Sequence, residues 1–394
     1  MQRAAGSQRL SRFAPGLRDL REYNRADFPS DLIAGLSVAA VALPVGVAYA
    51  QLAGFKPEAG LYASILPLVA YALFGTSRQL IVGPDAATCA LVAAAVGPLA
   101  GGDEHLYLSL SMTLAFVAGI FCIVASFFKL GALADFLSRP ILVGFLNGMA
   151  LSISLGQIGK IFGFPIEKEG IVPRLVEFVS KLGLTHLPTL AIGAVAFTVM
   201  VVSPRLFPRV PAALSAMIVT GVAVKLLGLE TMGVKTIGAV PAGLPPIRIP
   251  SFDPELLPQL CGSAAGLALI AFSSMMLTAR SFASRNRYEI DVDREFAALG
   301  AAQIAAAISQ GFAVSGADSR TAMSDAAGGR TRVTGLVTAA AIATVLLFFT
   351  GPLQYVPVAA LGAVLVKAAL GLLDLKALKI FYTVDRRGLQ LRDV

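Results

Sequence analysis

Stretches of roughly 17 to 25 apolar residues, the length of a helix that crosses a bilayer, recur along this chain from Leu32 to Leu373. Inside lipid, only helices and closed barrels satisfy their own backbone polar groups, so such runs leave little choice of fold. The 394 residues are 56% hydrophobic and 14% charged, whereas soluble domains carry about 25% charged residues. Water-facing groups could not cover such a surface. Twelve membrane helices are predicted, near 32–53, 57–74, 79–98, 106–128, 139–162, 187–203, 211–228, 255–280, 294–310, 312–327, 333–350 and 355–373. An amphipathic piece near 170–182 is expected to lie along the interface, and 229–254, rich in Gly and Pro, is the long loop.

The basic residues set the expected orientation. An Arg-rich cytoplasmic N-terminal segment, 1–30, lacks the short apolar core and cleavage site of a signal peptide. It has the makings of an amphipathic piece on the membrane surface. Alternate loops then carry Arg78, Lys129 with Arg139, Arg205 with Arg209, Arg280 to Arg294, Arg330 with Arg332, and the Lys376–Arg392 tail. Lys160, Lys168, Arg174, Lys181, Lys225, Lys235 and Arg248 fall outside and weaken this bias without reversing it. Both termini are therefore expected in the cytoplasm, for a multi-pass protein of a bacterial inner (plasma) membrane with the lipid bilayer as its surroundings. The net charge of +8 belongs to these flanks, so nucleic acid is not an expected partner. Cys89, Cys122 and Cys261 lie in apolar segments and read as small buried hydrophobes. With His105 and His186 at segment edges, no metal or catalytic constellation can be assembled, and neither enzymatic activity nor a cofactor is expected.

Two segments differ from the rest. GTSRQLIVGPDAATCALVAAAVGPLA (75–100) begins with a β-like QLIV run broken at Gly83-Pro84, and SQGFAVSGADSRTAMSDAAGG (309–329) has an FAV run broken at Ser315-Gly316. Each is the third segment of its half of the chain. Matched interruptions of this kind mark inverted-repeat transporters; the alternative for either segment alone is a Pro/Gly kink in an ordinary span. A helix beginning in mid-membrane leaves N–H donors unpaired and carries a partial positive charge. Two such ends meeting near the midplane make a pocket for an anion.

Several further stretches accompany them: DLIAGLSVAAVALPVGVAYAQLAG (31–54), GLYASILPLVAYALFGTSRQLIVGP (60–84), LSRPILVGFLNG (137–148), PRVPAALSAMIV (208–219), FAALGAAQIAAAISQGF (296–312), VSGADSRTAMSDAAGGRT (314–331) and LGAVLVKAALGLLDL (361–375). Together they resemble the sulfate permease family, SulP or solute carrier family 26, from about Pro29 to Asp385. The resemblance implies an all-α polytopic fold with two short β-like runs: inverted repeats of the 7+7 type, UraA-like, divided into core and gate domains. It implies an anion held between the third and tenth segments and carried by an elevator-like movement of the core. Sulfate, bicarbonate, chloride, oxalate and dicarboxylates are the family's substrates, homodimers are common, and a STAS domain usually follows. The repeats are expected at 31–228 and 255–394, joined by an extracellular or periplasmic loop at 229–254. The second has no room for two final helices or a STAS domain, as in a truncated or incompletely represented chain, unless something else completes the gate. Ser273 and Ser274 stand where relatives often carry an acid linked to cation coupling. Asp85 and Asp318 stand where relatives often carry neutral or aromatic residues.

The expected substrate-binding set is Asp85, Ala86, Ala87, Thr88, Ala317, Asp318, Ser319, Arg320 and Gln51. A cation on the first turn of a helix opposes the dipole and costs about 2.5 to 3.5 kcal/mol in mid-membrane. Arg320 is thus either the electrostatic anchor of the site or half of an ion pair with Asp318 or Asp85. The two aspartates read as N-caps, each contributing about 1 kcal/mol, which is less than that membrane penalty. Either Arg320 or water neutralises them, or one is protonated when the anion binds and couples transport to protons as a symport. Thr88, Ser315, Ser319 and Thr321 can serve the anion or their own carbonyls. Tyr49 and Gln51 close one side of the pocket, unless Gln51 faces a neighbouring helix. Asn147 and Gln157 are expected to bond between helices, Lys367 to face a domain interface or snorkel, and Asp325 to lie beyond the pocket. The expected function is secondary-active transport of a small inorganic or carboxylate anion. An anion channel on the same fold and a nucleobase permease are the alternatives.

Overall fold

The computed structural model describes residues 22–131, 139–166, 168, 170–207 and 210–373, with Gly16 and Leu20. The remainder of the Arg-rich N-terminal segment, Arg209 and the Lys376–Arg392 tail lie outside the described residues. Two units interleave along the chain: the first takes residues 1–134, 203–215 and 237–354, the second 135–202, 216–236 and 355–394.

In the first unit, α1 (Phe28–Leu52), α2 (Pro57–Tyr62) and α3 (Leu66–Phe74) lead to β1 (Val82–Gly83). Next come α4 (Ala86–Ala100) and α5 (Glu104–Phe127). The predicted helix at 57–74 is two helices, because Pro67 has no N–H to offer the carbonyl of Ala63 and its ring crowds that carbonyl. Pairing of α5 with a later helix, α11 (Val292–Ile308), is close enough to need glycine on both sides. A Cβ on Gly300 would stand 2.7 Å from the Gly119 carbonyl oxygen, and one on Gly119 would stand 2.8 Å from that of Gly300.

The second unit contains α6 (Arg139–Phe162), α7 (Ile171–Ser180), most of α8 (Leu187–Leu206) and most of α9 (Ala212–Leu227). Its last described helix is α14 (Val358–Leu372), which packs along α6. As expected, α7 is amphipathic, with Val172, Val176 and Val179 exposed on one side and Glu177 buried on the other. Glu177 accepts from the Lys168 N–H at 2.8 Å and pairs with Lys181 at 2.6 Å. The interhelical bond expected of Gln157 is not there: its Oε1 is buried without a partner. Lys367 is exposed.

Back in the first unit, α10 (Leu257–Asn286) continues about a turn and a half beyond the expected end at residue 280. Its last turns carry Arg280 and Arg285, cations that suit a helix C-terminus, so loss of apolar character there does not end the helix. Then follow α11, β2 (Ser315–Gly316), α12 (Asp318–Ala326) and α13 (Val333–Phe348). The part of the long loop belonging to this unit is strapped across helix ends. The Gly243 N–H donates to the Leu346 carbonyl at 3.0 Å, the Arg248 N–H to that of Ile308 at 2.9 Å, and the Thr113 hydroxyl to that of Ser251 at 2.8 Å. Five described stretches are long and apolar enough to cross a membrane: 25–52, 57–74, 104–127, 187–206 and 257–286.

A pair of half-helices around a two-stranded ladder

Every predicted site residue lies in the first unit. The first strand begins on the last residue of the QLIV run and the second falls just downstream of FAV: Val82 pairs with Gly316 and Gly83 with Ser315, antiparallel. Val314, at the end of the FAV run, has no strand partner, because the side-chain amide of Gln303 supplies both of its bonds. It donates to the Val314 carbonyl at 2.8 Å and accepts from the Val314 N–H at 3.0 Å. The Ala317 N–H extends the ladder to the Ile81 carbonyl at 2.9 Å, and the Ile81 N–H donates to the Thr321 hydroxyl at 3.1 Å. Ser315 spends its hydroxyl on the Ala271 carbonyl at 2.7 Å. Residues leaving the ladder start α4 and α12, so the interruptions are indeed half-helix beginnings brought side by side.

The two beginnings are finished differently. Asp85 caps α4 as expected: its Oδ1 accepts from the Thr88 N–H at 2.8 Å and from the Thr88 hydroxyl. Asp318 is not a cap. Ala317 occupies that position, and Asp318, the first residue of α12, accepts instead from the hydroxyl of Thr278 on α10. The turn leaves β2 one residue earlier than the Gly-Ala-Asp spacing suggested, so the carboxylate points off the helix end and toward α10. Ala86, Ala87 and Ala317 are buried at the two ends, while Asp318 and Ser319 are exposed.

Arg320 is 1% exposed and, among the described residues, the largest of the fully buried side chains. Its Nη2 donates to the Pro84 carbonyl on the opposite half-helix, whereas Nε and Nη1 find no partner. Neither aspartate closes on it, so the ion-pair alternative is not what the structure contains. The guanidinium lies over Gly83, where a Cβ would stand 2.5 Å from Nη1; a Cβ on Gly316 would stand 2.8 Å from Cγ of Met275. Tyr49 of α1 is buried within Coulombic reach of Arg320, Asp85 and Asp318. Gln51, half-buried at the end of the same helix, has no side-chain hydrogen bond to either half-helix. Thr278 and Met275 were not on the expected list. Neither carries a sequence signal, because their roles follow from how α10 crosses the ladder.

Around this centre, Ser273 is buried with its hydroxyl unpartnered. Asp325 lies beyond the pocket, as expected, paired with Arg285 at 3.0 Å. Arg330 pairs with Asp27 at 2.8 Å. A buried guanidinium with two unspent donors, beside two helix N-termini, can accept an oxyanion with charge-assisted bonds.

Comparison with known proteins places this geometry. The model of the sulfate permease family matches residues 28–391. Two Mycobacterium tuberculosis proteins, each described as a probable sulfate transporter, are 39% identical over 379 residues, 96% of this chain and 68% of theirs. A chloroplastic sulfate transporter of Arabidopsis thaliana is 31% identical over 395 residues, 96% of this chain and 56% of its own. Among solved structures, SLC26A9 superposes with a TM-score of 0.89 at 24% identity, covering 98% of this chain and 64% of that one. The transmembrane domain of a cyanobacterial bicarbonate transporter, BicA, gives 0.82 at 24% identity, covering 91% and 92%. The chain thus spans about two thirds of the mycobacterial relatives and of SLC26A9, and little more than half of the plant protein.

Proposed function

Since this chain belongs to the sulfate permease family, we propose that it carries a small inorganic or carboxylate anion across a bacterial inner membrane by secondary-active transport, with Arg320 as the anchor of the anion. The observation that carries this reading is the buried guanidinium with Nε and Nη1 unspent. An isolated buried charge is costly, and an anion at the two half-helix ends would neutralise it while meeting N–H donors of α4 and α12. The first unit is then the core that bears the substrate in an elevator-like movement and the second the gate. Residues 31–228 and 255–394 form the inverted repeats, and both termini lie in the cytoplasm.

Asp85 and Asp318 bear on coupling. Ionised, both would repel an anion held by Arg320; each has one oxygen engaged by a threonine, which leaves the other to hold a proton. Proton symport follows if one aspartate is protonated in the anion-bound state. The test is uptake by proteoliposomes of sulfate, bicarbonate and dicarboxylates, with and without a pH gradient, repeated for Asp85→Asn and Asp318→Asn. Concentrative uptake driven by an inward proton gradient and lost in one of the variants is the expected result. An unchanged pH dependence in both variants removes the coupling, and conductance without concentrative uptake would make the protein a channel.

A further inference from the structure

Two carboxylates that touch neither Arg320 nor the ladder are completely buried. Asp31, in the first turn of α1, is 0% exposed and accepts five hydrogen bonds. They come from the N–H groups of Arg330 (2.8 Å) and Thr331 (3.0 Å) and from the hydroxyls of Tyr23 (3.0 Å), Thr331 (2.6 Å) and Thr334 (3.0 Å). Glu295, in the first turn of α11, is also 0% exposed and accepts four. These come from the Tyr71 hydroxyl (2.7 Å), the Thr76 N–H (2.6 Å) and hydroxyl (2.5 Å), and the Ser77 N–H (3.0 Å).

The loops they grip flank the half-helix pair. Thr76 and Ser77 lead into β1 and α4, while Arg330 and Thr331 follow α12. The grip is crosswise along the chain: a residue of the second half holds a loop of the first, and a residue of the first half holds a loop of the second. Beyond these grips the first loop is held by Tyr288, whose hydroxyl bonds that of Ser77 at 2.8 Å and accepts from the Arg78 N–H at 3.3 Å, and the second by the Arg330–Asp27 pair at 2.8 Å. A cavity of about 630 Å³, lined by Arg78, Tyr288, Arg330 and Thr331 among others, reaches residues of the second loop and the residue that follows Ser77 in the first. Apolar contact could hold the loops near the unit, but only directional, charge-assisted bonds fix their position along it.

We propose that Asp31 and Glu295 are positioning residues for anion binding. Through the two loops they fix the spacing between the Arg320 guanidinium and the N-terminus of α4. This rests on the reading of Arg320 as the anchor. A displacement of about 1 Å at such a site is enough to weaken function by up to about 100-fold, so small shifts in either loop register as lost affinity.

The test uses the full chain with Glu295→Gln and Asp31→Asn. Tyr71→Phe and Thr334→Val each delete one donor with little risk to folding, and Asp27→Asn breaks only the exposed pair with Arg330. KM and maximal rate of anion uptake are measured beside the anion-induced rise in melting temperature of detergent-purified protein. The expected result is a KM raised about tenfold in the carboxylate variants and about twofold to threefold in the donor deletions. Maximal rates stay within about twofold, and Asp27→Asn is unchanged. A loss of folded protein with KM and the anion-induced shift unaltered in what remains would show a purely structural role and overturn the proposal. If wild-type protein takes up no anion yet is stabilised by one, and the variants weaken that stabilisation, transport fails and positioning stands. If no anion stabilises the wild-type protein, both fail.

Discussion

The two half-helices share a backbone plan and differ in nearly everything attached to it. In α4, fifteen residues of mostly small apolar side chains begin at a side-chain cap, with the Thr88 N–H and hydroxyl already committed to Asp85. In α12, nine mostly polar residues begin at Ala317, which caps nothing, and carry Asp318 and Arg320 on the first turn. The ladder supplies a symmetric meeting place, while the chemistry is loaded on one side. Arg320 then reaches across to the Pro84 carbonyl of the other half-helix, so the charge sits between the two ends although only one contributes it. Matched backbone brings the two helix beginnings together; single side chains make them chemically unequal.

The sharpest way to break this comparison is to remove the unequal part. Arg320→Ala is expected to lower anion uptake by about 100-fold or more, the loss of roughly 3 kcal/mol of charge-assisted bonding. Thr88→Val on the other half-helix should cost no more than about threefold in the same assay. Equal losses would mean the two ends contribute alike. A second contrast uses the glycines. Gly83→Ala and Gly316→Ala place a methyl group 2.5 Å from Nη1 of Arg320 and 2.8 Å from Cγ of Met275, respectively. Both should lower the melting temperature through about 1 to 3 kcal/mol of overpacking. Only the first should also raise KM, since only it displaces the guanidinium.

The smallest expected effect concerns caps. Asp85→Ala should destabilise by about 1 kcal/mol, while Asp318→Ala, which removes no cap, should change the melting temperature less. Asp103 provides an exposed reference. The N–H groups of His105 and Leu106 hold its carboxyl below the ordinary range. A depressed pKa gives stability that is complete above the unfolded value, about 3.9, and is lost as pH falls through the lower folded value. Melting curves taken from about pH 5 to about pH 3 should show that part of the decline disappear in Asp103→Asn.

The interrupted segments were legible because Gly83-Pro84 and Ser315-Gly316 stand out against apolar runs, and because they recur at matching places in the two halves. Helix limits followed apolar length wherever that length sets them, as at 139–162, which the structure reproduces. They failed where another force sets them. Pro67 divides 57–74, and cations suited to a C-terminus extend α10 past residue 280. Of the candidate site, Arg320 and the Asp85 cap were readable from spacing along the chain. Asp318 as a cap was wrong by one residue, a distance below what turn chemistry resolves. Thr278 and the Gln303 amide meet the site across helix packing, which leaves no periodic mark.

The four-residue ladder also makes a demand on strand register. A pairing so short is easily formed in the wrong register, and a slip of one residue would exchange which side chains face each neighbour. Here a slipped pairing would bring the isopropyl group of Val82 to the place where Gly83 leaves space for the Arg320 guanidinium. In the observed register a glycine, and no larger side chain, lies under the guanidinium where two chain segments more than two hundred residues apart meet.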